Sequence, residues 1–332
     1  QLTTLDVSGA AALTELYCFD NQITTLDLSG STALTILHCY SNQLTTLDVS
    51  GAAALTELYC YSNQLTNLDV SGAAALTDLN CSFNQLTTLD VSGITTLTGL
   101  NCYSNQLTTL DVSGITTLTG LNCSYNQLTT LDVSGAAALT ELYCYDNQIT
   151  TLDLSTNTSL IRLKCDDNQL TTLDLSANTA LAILLCNANQ LTSLDLRNGN
   201  NTNMLPTWPG QFFNAIGNPN LSCIDVDSVA YSTANWINID PQHYFSTNCS
   251  FIPSSWNCIN NACVDPLDGT GTYTDSTTCV TSCISTEIEE LNANKKLIKI
   301  TDVLGRNATA KQNATLFYIY DDGSVEKKII LN

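Results

Sequence analysis

From residue 2 to about residue 197, short runs of alternating apolar and polar residues come back at a step that never varies. In residues 55–75, LTELYCYSNQLTNLDVSGAAA, the apolar positions are Leu55, Leu58, Cys60, Leu65, Leu68 and Val70, and each has an apolar counterpart 21 residues further on. A period of two places successive side chains on opposite faces of a strand. E-L-Y-C-Y therefore predicts a short strand with Leu58 and Cys60 inward and Glu57, Tyr59 and Tyr61 outward. T-N-L-D-V predicts a second, with Leu68 and Val70 inward and Asn67 and Asp69 outward. Ser71, followed by Gly72 and a run of alanines, predicts a cap on a tight helical turn. One such unit cannot bury its own apolar stripe. Stacked units place Leu58 over Leu37 and under Leu79, so a single core extends from coil to coil.

In register, the repeats share the frame L-x-x-L-x-C-x-x-N-Q-L/I-T-x-L-D-V/L-S. It resembles the leucine-rich repeat, whose strand segment reads L-x-x-L-x-L-x-x-N/C-x-L. Cys60 stands where the third leucine usually stands. The resemblance implies a β-rich solenoid with a parallel sheet on its concave face, nine full repeats filling residues 1–198.

Cys18, Cys39, Cys60, Cys81, Cys102, Cys123, Cys144, Cys165 and Cys186 hold the same position in successive repeats. Stacked in parallel register, their Cβ atoms stay about 4.8 Å apart, beyond the ~3.8 Å a disulfide prefers. Nine is odd, and a straight ladder supplies no tetrahedron for zinc. The expectation is a ladder of buried thiols that act as small hydrophobes. The asparagine three residues later, as in Asn63 and Asn84, marks the bend after each strand, where its amide is expected to bond backbone groups of adjoining coils.

Charge narrows the partners. The 332 residues include 10 basic and 31 acidic side chains, for a formal net charge of −21. Such a surface repels nucleic acid and anionic membranes and attracts cations and basic partners. No apolar run approaches the ~20 residues of a membrane span. The chain opens in mid-pattern at Gln1, so a preceding segment is expected and the missing signal peptide carries no information.

Beyond the repeats, residues 199–250 read as a cap, with Trp208, Phe212, Phe213 and Trp236 available to cover the last coil. Cys223 and Cys249 lie in this cap, and Cys258, Cys263, Cys279 and Cys283 in a small module spanning residues 251–284. Even numbers in loop-rich segments without the leucine frame read as disulfides of an oxidising compartment. The last four allow several pairings. Their spacing lacks the C-x-x-C knuckles that would favour zinc.

Residues 285–332 change character again, with strand-like runs LIKITDV, TLFYIY and VEKKIIL and an Asp322-Gly323 turn between the last two. This segment resembles the type A C-terminal sorting domain of the type IX secretion system of Bacteroidota. The matching residues are D-V-L-G-R at 302–306, YIYDDG at 318–323 and the pair Lys327-Lys328. The resemblance implies passage through the periplasm, recognition by the type IX export machinery, and a final place outside the cell or on the outer-membrane surface. Such signals are addresses, not membrane anchors.

Outward strand positions give the candidate binding surface: Tyr17, Phe19, Tyr40, Glu57, Tyr59, Tyr61, Asn101, Tyr103, Asn122, Glu141, Tyr143 and Tyr145. Tyrosine gives large contact area at low entropic cost. Gly99, Asn101, Gly120 and Asn122 replace bulky residues in the middle coils, which predicts a shallow polar notch between tyrosine-rich walls. The function expected is non-enzymatic, adhesin-like recognition of a protein or glycan. The alternative is a calcium-assisted or purely structural surface solenoid, with tyrosine serving only as a good strand residue. The aspartate ladder bears on that alternative: carboxylates ~4.8 Å apart repel by roughly 0.9 kcal/mol per pair even in water. Serine N–H and hydroxyl groups two residues on are the expected offset. Calcium on Asp48, Asp69 and Asp90 is the weaker option, since no D-x-D-x-D-G loop is present. Repeated threonines raise ice binding, disfavoured by the hydrated aspartates beside them. With only His38 and His243 as histidines and no nucleophile–base arrangement, no enzyme and no other cofactor is expected.

Overall fold

The computed structural model describes residues 1–204, 212–249, 257–259, 262–264, 272–273, 278–279, 296–309, 315–321 and 323–329. The chain forms two compact units, residues 1–249 and 250–332.

The first unit is a parallel-sheet solenoid with 21-residue coils. Its ten-stranded sheet runs from Glu15–Tyr17 through Ile36–His38, Glu57–Tyr59, Asp78–Asn80, Gly99–Asn101, Gly120–Asn122, Glu141–Tyr143, Arg162–Lys164 and Ile183–Leu185 to Phe213–Asn214. Leu58 pairs with Leu37 on one side and Leu79 on the other, as the periodicity requires. The second alternation forms a separate line. Leu5–Asp6 pairs with Leu26–Asp27, single bridges join Asp48 to Asp69 and Asp111 to Asp132, and a four-stranded parallel sheet gathers Thr172–Asp174, Ser193–Leu196, Cys223–Val226 and Tyr244–Ser246. Between the two lines the repeated Leu, Val, Ile and Cys side chains form one continuous core. Each buried leucine adds roughly 1.5–3 kcal/mol of transfer free energy.

All nine repeat cysteines are free thiols and buried. Burial pushes the Cys81 and Cys144 thiols up to about 12, so they remain neutral packing groups. The asparagine ladder is bonded on both sides. Asn63 Oδ1 accepts from Leu44 N at 3.0 Å, and its Nδ2 donates to Cys39 O of the preceding coil and Cys60 O of its own, at 3.1 and 3.0 Å. The residue before each ladder asparagine, from Asp20 and Ser41 to Ala188, has φ between 51° and 55°. This left-handed step turns the chain off the strand.

The alanine corner departs from expectation, since no helix forms there. Ala73 N donates to Val70 O and Leu76 N to Ala73 O, two consecutive tight turns. Nor is Ser71 the cap. Its backbone N–H donates to Asp69 Oδ1, so the aspartate caps the corner. The few residues between the second alternation and the next leucine leave no room for a helix.

Residues 212–249 cap the solenoid by continuing it. Asn218 repeats the ladder bonds on the last coil: its Oδ1 accepts from Leu191 N, and its Nδ2 donates to Cys186 O and Ala215 O. Trp236 is 1% exposed and stacks on Phe213 with ring centroids 4.4 Å apart, with Phe245 edge-on at 5.8 Å. Phe212 is buried nearby in sequence, and Trp208 lies outside the described residues. Cys223 and Cys249 form a disulfide.

In the second unit Asn257–Ile259 pairs antiparallel with Ala262–Val264. Cys263 is bonded to Cys279, and Cys258 is also in a disulfide. Cys283 lies outside the described residues. The three expected tail strands form an antiparallel sheet in the order Leu297–Thr301, Thr315–Tyr320, Val325–Ile329.

Candidate functional site

The 21-residue register sorts the outward side chains of the ten-stranded sheet into rows. One row is Glu15, Ile36, Glu57, Asp78, Gly99, Gly120, Glu141, Arg162; the next is Tyr17, His38, Tyr59, Asn80, Asn101, Asn122, Tyr143, Lys164. A third, just past the strands, begins Phe19, Tyr40, Tyr61 and includes Tyr103 and Tyr145. All twelve expected surface residues are solvent-accessible; Tyr17 is 50% exposed and most of the others are half-buried.

The aromatics form two groups. Phe19, Tyr40 and Tyr61 stack nearly parallel, with centroids 4.6 and 4.4 Å apart. Beside them His38 stacks on Tyr59 at 4.5 Å and meets Tyr17 edge-on at 4.9 Å. Further along, Tyr103 and Tyr145 are joined by Phe83 and Tyr125, through edge contacts of 5.0–5.5 Å. Phe83 and Tyr125 are 52% and 47% exposed. Both occupy the left-handed position, at φ 52° and 53°, where large side chains are unusual.

Three members of this surface fall outside the sequence-based set. Phe83 and Tyr125 sit at a turn position rather than in the alternation, and only their aromatic character at a left-handed step distinguishes them. His38 reads as a lone histidine in the linear sequence, yet its register with Tyr17 and Tyr59 makes it part of the ring row.

The expected notch lies between Tyr59 and Tyr143, on coils whose turns carry the second aromatic group. It is a cavity of about 310 Å³, floored by Gly99, Gly120 and the amides of Asn80, Asn101 and Asn122, and walled by Tyr59 and Tyr143. Its electrostatics are acidic. Burial, reinforced by neighbouring Glu57, raises the Asp78 carboxyl above the usual carboxylate range. Burial also pushes the Tyr59 hydroxyl up to about 12, with Asp78 and Glu57 adding to the effect. Beyond the opposite wall, burial raises Asp166 to about 6, with Asp167 and Asp146 contributing.

A larger groove of about 830 Å³ runs along the aspartate ladder, lined by Asp69, Asp90, Asp111 and Asp132 with Thr88 and Thr109. Its carboxylates are already engaged. Asp48, Asp69 and Asp90 each accept the backbone N–H of the serine two residues on, at 2.9–3.0 Å. These serine bonds hold all three carboxyls below the usual range. The ladder is thus stabilised by the local bonding expected. Among the described residues no three His, Cys, Asp or Glu side chains are grouped to hold a metal ion. The smaller notch carries the richer chemistry, because it sets a carboxylate, amides and two aromatic rings side by side.

Residues 12–51 match the family model for leucine-rich repeats, two copies. The functional domain of InlJ from Listeria monocytogenes, described as including a cysteine ladder, is 29% identical with a TM-score of 0.57, over 96% of this chain and 85% of that one. An internalin, inlF, of the same organism is 20% identical with a TM-score of 0.50, over 71% of this chain and 83% of that one, a likeness of fold alone. No curated protein matches the sequence.

Proposed function

Taking the chain as a leucine-rich-repeat solenoid, we propose that it is a non-enzymatic recognition protein that holds a protein ligand against the aromatic face of its ten-stranded sheet. The carrying observation is two aromatic groups on one face with a polar notch beside them, with rings offered to solvent that no core contact requires. Exposed aromatic patches with a polar centre supply rigid contact area and orientation together. A glycan meets the same rings and amides and is the second ligand class to screen.

The test starts from a protein and glycan array probed with residues 1–249, with and without calcium. Tyr61, Tyr103 and Tyr145 are then changed together to alanine. Their outward placement leaves the core intact, and affinity for the ligand found falls by about tenfold or more, since ~1.4 kcal/mol suffices. The matched change of Thr46, Thr88 and Thr109 leaves affinity unaltered. Loss with the threonine set alone would move the site to the threonine side, away from the aromatic face. Loss on chelation, with both sets silent, would turn attention to the aspartate ladder and calcium.

We also propose that residues 285–332 are a type IX sorting signal of a Bacteroidota protein that acts outside the cell. The antiparallel tail sheet and its D-V-L-G-R turn support this. Asp302 Oδ1 accepts from Leu304 N and Arg306 N at 2.9 and 3.0 Å, and Arg306 Nε donates to Asp302 Oδ2 at 2.8 Å. Disulfides in both units suit an oxidising destination. Deleting residues 285–332 in the native host leaves the protein in the periplasmic fraction. Undiminished surface display of the truncated chain is the opposing result.

A further inference from the structure

Every acidic side chain in the first outward row meets a hydrogen-bond donor, with one exception. Glu15 accepts from the Tyr17 hydroxyl at 3.0 Å, Glu57 contacts His38 Nε2 at 2.6 Å, and Glu141 holds both the Tyr143 hydroxyl and Arg162. The Asp78 carboxylate has no hydrogen bond or ion pair among the described residues, although it is half-buried and next to Glu57. Its carboxylate borders the notch: a Cβ on Gly99 would lie 3.1 Å from Asp78 Oδ2. The missing side chains at Gly99 and Gly120 are what leave this charge open to an incoming group.

The amides beside it are oriented by the backbone. Asn80 Oδ1 accepts from Ser82 N, Asn101 Oδ1 from Tyr103 N and Asn122 Oδ1 from Ser124 N, at 3.1, 3.1 and 3.2 Å. A backbone N–H only donates, so the bonded atom in each is oxygen and the amino group is the one left over. The three Nδ2 groups have no partner among the described residues and lie in strand register, about 4.8 Å apart. The notch therefore offers one unpaired carboxylate and a line of donors. The donors suit carbonyl oxygens of an extended backbone, and the carboxylate suits a cation carried by that backbone.

The walls decide which cation. Tyr59 has one ring face against His38, and Tyr143 carries Lys164 Nζ 5.0 Å from its centroid. The opposite face of Tyr59 looks across the smaller Asn80 into the notch that Tyr59 lines. A planar guanidinium stacks on such a face while its N–H fork meets a carboxylate; a lysine ammonium has neither a plane to stack nor a fork. A neutral saccharide donates hydroxyls to a carboxylate but brings no positive charge to it.

We propose that the notch binds an arginine side chain from an extended, basic segment of a protein partner, with Asp78 anchoring the guanidinium. The proposal rests on the aromatic face being the recognition surface and names the chemistry of what it recognises. The net charge of −21 draws such a partner in from a distance.

The test uses the full chain and four probes: acetyl-Gly-Gly-Arg-Gly-Gly-amide, its lysine and citrulline counterparts, and a neutral hexasaccharide. Binding is followed by NMR titration at low salt. The arginine peptide binds tightest, the lysine peptide severalfold weaker, and the citrulline peptide at least about tenfold weaker, because citrulline keeps the shape and loses the charge. Asp78→Asn removes the preference for arginine over citrulline. Gly120→Ile blocks all the peptides with Asp78 intact. Nothing lies within 4 Å of a Cβ there, and Ile36 and Ile183 fill the same register position in other coils, so the coil tolerates it. Asp69→Asn, on the other strand line, changes nothing. Equal binding of arginine and citrulline peptides, an Asp78→Asn chain that still prefers arginine, or saccharide binding without peptide binding would each overturn the proposal. The wider reading is judged separately, by the tyrosine triple variant and the array ligand, and survives a negative peptide result.

Discussion

Replacing Asn105 with leucine lowers the stability of the solenoid by about 2 kcal/mol or more, while replacing Cys102 with alanine costs roughly half of that. The two residues are neighbours in the same turn and both are buried, so burial alone does not separate them. Asn105 Oδ1 accepts from Leu86 N at 3.0 Å, and its Nδ2 donates to Cys81 O and Cys102 O, both at 3.1 Å. Leucine matches the side chain in size, leaves Leu86 N buried with nothing to bond, and takes one of two donors from Cys81 O and Cys102 O, which keep Asn84 Nδ2 and Asn126 Nδ2. The orphaned N–H costs about 1–3 kcal/mol. Cys102 gives up only a small apolar volume in a core that has closed around it. Asn105→Asp is the sharper control, since it keeps the acceptor and turns the donor into a second negative oxygen facing two carbonyls. Urea unfolding of the three variants measures the differences. A leucine variant within ~1 kcal/mol of the parent would mean that water satisfies these groups and the amide ladder contributes little.

Trp236→Ala costs about 3–5 kcal/mol, the range for deleting a large buried aromatic, and the loss is felt unevenly. Trp236 closes the last coil through Phe213 and Phe245. In a solenoid each coil touches only its neighbours, so weakening one end releases coils from that end. Amide exchange therefore speeds up at Leu184 and Leu194 and stays at the parental rate around Leu58 and Leu79. Trp236→Phe behaves differently. The indole Nε1 is buried without a hydrogen-bond partner, so phenylalanine loses area but also removes an unsatisfied donor, and the net cost stays near ~1 kcal/mol. Uniform acceleration along the chain would show one cooperative block instead of a fraying stack.

The period, the inward leucines, the thiol ladder and the serine-capped aspartates were legible in the sequence because each repeats identically, so a single physical solution must serve every coil. The notch was legible for the same reason, as an interruption of the repeat at Gly99, Asn101, Gly120 and Asn122. What escaped were features that depend on a break in register or on neighbours. Asn218 performs the ladder role but stands 29 residues after Asn189, not 21, so no periodic alignment finds it. The alanine corner combines helix-forming residues with an apparent serine cap, and the tight closure of the coil overrides both. Asp78 is one methylene shorter than Glu57 and differs also in what adjoins it. His38 lies beside one and Gly99 beside the other, so the unpaired charge is a property of three coils read together.

The ladder amides also point one way along the chain. Asn63 supplies the partner that Leu44 N lacks and a second donor to Cys39 O, residues that precede it by 19 and 24 positions; Asn84 does the same for Leu65 and Cys60. No coil is saturated by its own residues, and each waits for its successor. A nascent chain emerging amino end first therefore seals every turn one repeat late, and its growing tip is always the unfinished one. Vectorial delivery, from a ribosome or through an export pore, presents the coils in the order in which these bonds can close.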